Sequence, residues 1–166
     1  MRMVDSILME LEQEAGTTRR LLERVPTDKL GWKPHAKSMT LGELAQHVAT
    51  IPGMIAEFAC ATNFELPDFG DQPTTGSTAE VIKAHEKSIA DAKARLNDFD
   101  DAAMMATWTM TKGGKTLFST PRIGLIRAIM LNHWYHHRGQ LSVYLRQLDV
   151  PIPSIYGPSA DENPFA

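Results

Sequence analysis

Apolar positions in the first 25 residues recur at alternating steps of four and three: Val4, Leu8, Leu11, Ala15, Thr18, Leu22 and Val25. That spacing keeps one helix face apolar, so the segment reads as a bundle helix stopped by Pro26. A second helix opens at "TLGE", where Thr40 and Glu43 have capping-box spacing, and continues through Leu44, His47, Ile51, Met54 and Phe58. Pro52 interrupts it; without an N–H for the carbonyl of Val48, it predicts a kink. A third helix opens at "STAE" with Ser77 and Glu80 and runs to about Asn97 through Val81, Ala84, Ile89, Ala92 and Leu96. The fourth follows Thr120, with Pro121 in the first helical position, and runs to about Leu148. At about 1.5 Å per residue it is roughly 40 Å long, the spine of the domain.

Between the third and fourth helices, "ATWTMTKGGKTLFST" alternates around a Gly-Gly turn and reads as a short β-hairpin. "NFELPDFGDQPTTG" is a Pro/Gly-rich loop long enough to cross the length of a bundle. The expected fold is all-α: a four-helix bundle with one long crossover, a short hairpin before the last helix, and an irregular tail over 149–166. Residues 1–166 suit one domain with a real core.

Composition narrows the classes. A net charge of −3 gives no basic footprint for nucleic acid or an anionic membrane. The single cysteine, Cys60, permits no internal disulfide; it reads as a small packed residue in a reducing cytoplasm. Asp5, Glu10 and Glu12 break the opening segment, so it is expected to be neither a signal peptide nor a membrane span. P-loop, GxGxxG and GxSxG patterns are missing, as are the zincin and paired Glu-x-x-His metal motifs; Trp134 stands where a zincin needs glutamate.

The chemistry lies in "LNHWYHHRGQL", which holds half of the chain's six histidines. Ile126, Met130, His133, His137, Leu141, Tyr144 and Leu148 share one helix face, which stacks His133 and His137 one turn apart. Two imidazoles at i and i+4 can grip one ion, and His47 on the buried stripe of the second helix can supply a third ligand. Three neutral histidines with open positions is the composition of a catalytic zinc site. The alternative is a set of core histidines, each merely hydrogen-bonded, although buried imidazole is costly without partners.

The other candidates are weaker. His136 sits to one side, as a supporting or interfacial residue, and His35 and His85 read as solvated. Arg138 suits a salt bridge, Gln140 can orient His136 or a substrate, and Gly139 marks a close backbone approach. Tyr144 reads as core, Trp32 and Trp134 as packing residues, with Trp134 a candidate for a dimer surface. Asp161 and Glu162 belong to an exposed tail or cover the cleft, and the Lys112–Lys115 tip is a solvated turn.

"WKPHAKSMTLGELAQHVA", followed later by "LNHWYHHRGQLSVYLRQLDVPIPSIYGPSADE", resembles the DinB superfamily of YfiT-like metal-dependent bundle proteins, unrelated to the DNA polymerase sharing that name. The likeness extends over nearly the whole chain. It implies an up-down-down-up bundle, a divalent metal (commonly zinc or nickel), and frequent homodimers. The family's metal ligands map onto His47, His133 and His137. Characterised members include mycothiol-dependent maleylpyruvate isomerase and transferases of bacillithiol or glutathione. The resemblance therefore implies an enzyme that activates a low-molecular-weight thiol or water, as an S-transferase or hydrolase. The alternative is a non-catalytic metal-containing bundle acting in binding or stress response.

Overall fold

A computed structural model describes residues 1–68 and 73–166 of the chain. Helix α1 (Met3–Leu22) is followed by a 3₁₀ turn (Thr27–Lys29), helix α2 (Leu41–Cys60) and strand β1 (Asn63–Glu65). Helix α3 (Thr78–Asn97) leads through the short α4 (Asp101–Met105) to strands β2 (Thr107–Lys112) and β3 (Lys115–Pro121). The last rod is continuous but not uniform: α5 (Arg122–Leu125), a π-helical segment (Ile126–Asn132), then α6 (His133–Gln147). After Gln147 no further helix or strand follows. No helix of the described residues is long and apolar enough to cross a membrane.

The caps behave largely as their residues dictate. The amide of Glu43 donates to Thr40 Oγ1 (3.2 Å), and the amide of Thr40 donates back to the Glu43 carboxylate (2.7 Å). The α3 box is half formed: Ser77 Oγ accepts from the amide of Glu80, but the Glu80 carboxylate takes the amide of Gly76 instead. Pro121 ends β3 and sits at the cap position, one residue before the helix it was expected to begin.

The expected hairpin forms, with Gly113 and Gly114 both at positive φ (57° and 75°) as a two-residue turn requires. It is part of something larger. β1 pairs in parallel with β2, and β2 pairs antiparallel with β3, giving a three-stranded sheet in the order β1-β2-β3. The fold is thus mostly helical with a small sheet. β1 opens the stretch expected to be all loop, and residues 69–72 of that stretch lie outside the described residues.

Pro52 stands inside α2, where it leaves the carbonyl of Val48 without its helical donor. The last rod meets that deficit, and α3 bonds the same turn of α2. Trp134 Nε1 donates to Val48 O at 2.8 Å, and Ser88 Oγ accepts from the amide of Gly53 at 2.8 Å. A Cβ on Gly53 would stand 2.9 Å from the carbonyl oxygen of Ser88, so glycine lets α2 and α3 pack backbone to backbone. A proline that would cost about 3 kcal/mol in an isolated helix becomes the point where three helices are tied together.

The core runs between these helices through Leu11, Leu44, Val48, Ile51, Val81 and Leu141. On α6 the buried residues are Trp134, Arg138, Leu141 and Leu145; Leu141 lies on the histidine line, and the other three stand one position beyond it. An ion pair explains the offset. Arg138 pairs with Glu14 of α1 at 2.6 Å, with the two side chains only 2% and 7% exposed. Arg138 also donates to Thr18 Oγ1 and to the hydroxyl of Tyr156, bringing the C-terminal tail onto the bundle. The salt bridge expected of Arg138 is present, in the interior rather than at the surface.

Candidate metal centre

With Arg138 in the interior, His133 and His137 fall at the margin of the core, half-buried, opposite half-buried His47 of α2. One ligand atom from each lies within 4.8 Å of the other two. The Nε2 atoms of His47 and His133 are 3.1 Å apart. The three rings meet edge to face, with centroids separated by 5.3 Å (His47–His133), 4.5 Å (His47–His137) and 4.4 Å (His133–His137). A tetrahedral ion with bonds of about 2.0–2.1 Å would hold its ligand nitrogens about 3.3 Å apart, so the cluster needs little adjustment to close on one. Among the described residues, no other group of three histidine, cysteine or acidic side chains converges in this way.

Protonation state and outer partners fit the same chemistry. Burial, and then the neighbouring rings of His137 and His133, pull the His47 pKa down to about 4. Burial also holds His133 and His137 below the usual imidazole value. Neutral imidazole is the form that ligates a metal. His137 Nδ1 donates to Gln140 Oε1 at 2.7 Å, which leaves its Nε2 as the lone-pair nitrogen. Gln140 therefore orients His137, whereas His136 or a substrate was the expected partner. Trp134, locked onto Val48, fixes the helical turn between the two α6 histidines.

The other candidates divide. His136 is exposed, with its ring 5.0 Å from that of His137 and outside the converging group. His35 is exposed in its turn, as expected, and its Nδ1 accepts the amide of Lys37. His85 was expected to be solvated and is not: it is 2% exposed, with Nε2 3.1 Å from the carbonyl of Ala15. Its charged neighbours in sequence point outward while α1 covers the ring. Cys60, expected to be packed, is exposed. Trp134 is fully buried, so it packs but offers no dimer surface. Nothing approaches Gly139 within 4 Å of a built Cβ, so the close contact expected there is absent. Tyr144 is half-buried, its ring edge-on to Trp32 and its hydroxyl donating to Met39 O. Asp161 and Glu162 pair with Arg146 and Arg20, which docks the tail onto α6 and α1.

Beside His47 and His133 opens an apolar chamber of about 160 Å³, walled by α2, the sheet and the last rod. Sequence reasoning missed its sheet wall. The signal was there: Phe64 and Leu66, like Trp108 and Met110, alternate with polar residues and so share one sheet face.

Residues 10–141 match the family model described as the DinB superfamily. The chain belongs to the DinB superfamily. This DinB chain is 28% identical over 160 residues to the uncharacterized protein YrdA of Bacillus subtilis (strain 168), covering 96% of this chain and 91% of that one. Its fold is similar to that of a DinB-like protein from Bacillus cereus ATCC 10987, with a TM-score of 0.72, 21% identity, and coverage of 92% and 97% of the two chains. It also resembles the DinB-like protein YjoA of Bacillus subtilis, at a TM-score of 0.66, 19% identity, and coverage of 88% and 95%. At those identities the two crystal structures bear on the fold alone.

Proposed function

We propose that this DinB protein is a metal-dependent enzyme in which His47, His133 and His137 hold one divalent ion, zinc in the first instance and nickel as the alternative. The observation that carries the reading is the convergence of three uncharged ring nitrogens, one of them already oriented by Gln140. When bound, such an ion supplies Lewis-acid polarisation that makes a low-molecular-weight thiol or a water molecule nucleophilic near neutral pH. The reaction is accordingly thiol S-transfer or hydrolysis. The protein's own part is to keep the imidazoles neutral by burial, to fix them through Gln140 and Trp134, and to exclude water on the apolar side of the site.

The same reading takes the chain as a single cytoplasmic domain working as a homodimer, with the helices ordered up-down-down-up. Side-chain pairs support that order. Glu10–Arg127 and Glu14–Arg138 advance in the same sense along α1 and the last rod, whereas Arg19–Glu86 and Glu12–Lys93 run oppositely between α1 and α3.

A panel of thiol-conjugation and ester-hydrolysis substrates tests the activity on metal-loaded wild type, on His133→Ala and on chelated protein. Turnover confined to the loaded wild type is expected. Equal rates in all three, for every substrate converted, would refute catalysis by this site.

A further inference from the structure

The chamber next to the histidines has the character of a ligand pocket rather than a packing defect. Met54 and Phe58 line it from α2, Phe64, Trp108 and Met110 from the sheet, and Ile129 from the π-helical segment. The aromatic wall is ordered: Phe58 stacks on Phe64 at 4.1 Å, and Phe64 on Trp108 at 6.1 Å, with interplanar angles of 27° and 19°. Trp108 is held by its Nε1 donating to the carbonyl of Phe58 at 2.9 Å, so two walls are tied together. The ring nitrogens of His47 and His133 are the polar groups on its edge. A π-helical turn is closed by i→i+5 hydrogen bonds, and such turns recur at functional sites. Here the segment supplies Ile129 to the wall and ends immediately before His133.

We propose that this chamber binds the aromatic ring of the substrate: a benzene-sized aryl group whose attached polar head faces His47 and His133. The head rests on the metal-site reading above; the ring does not. At about 160 Å³ the chamber matches the volume, roughly 150 Å³, at which an apolar cavity stays dry and accepts benzene. A charged group would meet no counter-ion on its walls. The wider groove between α1 and α3 is a poor competitor. Its charged residues, Arg19, Glu86, Glu12 and Lys93, pair with one another, and it contains none of the three histidines.

Two measurements separate the parts. Fluorobenzene followed by fluorine NMR probes the chamber in chelated full-length protein. Wild type is expected to bind it at millimolar concentration, with ring-to-methyl nuclear Overhauser effects at Met54 and Met110. Met110→Trp, which fills the chamber from the sheet side, is expected to lose binding while keeping the helical circular-dichroism signal. The methyl contacts in wild type need no variant, so a misfolded Met110→Trp does not cloud the result. In metal-loaded protein, benzyl mercaptan should bind at least tenfold more tightly than ethanethiol, and Met110→Trp should erase that preference while retaining metal. Fluorobenzene that shows no contact with Met54 or Met110, or binds equally well to a folded Met110→Trp, would overturn the proposal. Ring binding in a protein that takes up no metal would instead uphold the chamber and sink the proposed metal chemistry.

Discussion

Replacing Trp134 with phenylalanine probes the device that holds the second helix against the last rod. The indole is fully buried and gives its one N–H to Val48 O, an acceptor left open by Pro52. Trp134→Phe leaves that carbonyl buried without a donor, at a cost of about 1–3 kcal/mol. The smaller ring forfeits packing worth about 1 kcal/mol more, so the total is about 2–4 kcal/mol. The origin of the larger part can be isolated. Pro52→Ala restores an amide N–H one helical turn from Val48, and the carbonyl, having two lone pairs, can accept from both donors. In that background Trp134→Phe should cost only the packing part, leaving a coupling energy of about 1–3 kcal/mol. Urea denaturation of the four proteins, read from the midpoints at constant slope, measures it. Equal costs of Trp134→Phe in both backgrounds would show that the indole N–H does not replace the proline's missing donor.

Three further outcomes follow from the site. Chelation should leave the helical circular-dichroism signal intact, because the apolar core is complete without an ion; collapse of that signal would make the metal structural. The metal-free protein should lose stability as pH falls from about 6.5 towards the His47 value of about 4. Burial depresses the folded-state pKa values, so the unfolded chain binds more protons in that window and is favoured by acid. His47→Gln should flatten the urea midpoint between pH 7.5 and pH 5, and an unchanged slope would contradict the burial argument. Gln140→Ala should weaken metal affinity by about 10–100-fold, the usual effect of losing a ligand's outer partner. Competition against a calibrated chelator reads this, and an unaltered affinity would remove Gln140 from the site.

Much of the frame was legible because it rests on local chemistry. Thr40 and Glu43 make a reciprocal cap from their spacing alone, and Gly113-Gly114 makes a tight turn from backbone freedom alone. His47, His133 and His137 were legible for a similar reason, since four-residue spacing on one helix and an apolar stripe on another suffice to bring them together. The misses share a different cause. His85 is buried by the α1 backbone at Ala15, and Glu14 by Arg138, partners distant in sequence that no periodicity reveals. The π-helical turn shifts the register of the last rod, which a fixed 3.6-residue period cannot anticipate. β1 is only three residues long and exists through its parallel pairing with β2. That pairing brings Phe64 into the wall of the chamber that His47 and His133 also line.

The central claim, that three specified histidines hold one divalent ion, is tested most directly by metal content per chain after loading and desalting. Elemental analysis of tag-free wild type should give close to one equivalent of metal per chain. His47→Ala, His133→Ala and His137→Ala should each lose most of it. His136→Ala and His35→Ala, at exposed positions outside the converging group, should retain it. Retention of a full equivalent by His47→Ala, or a loss in His136→Ala as large as in His133→Ala, would contradict the assignment.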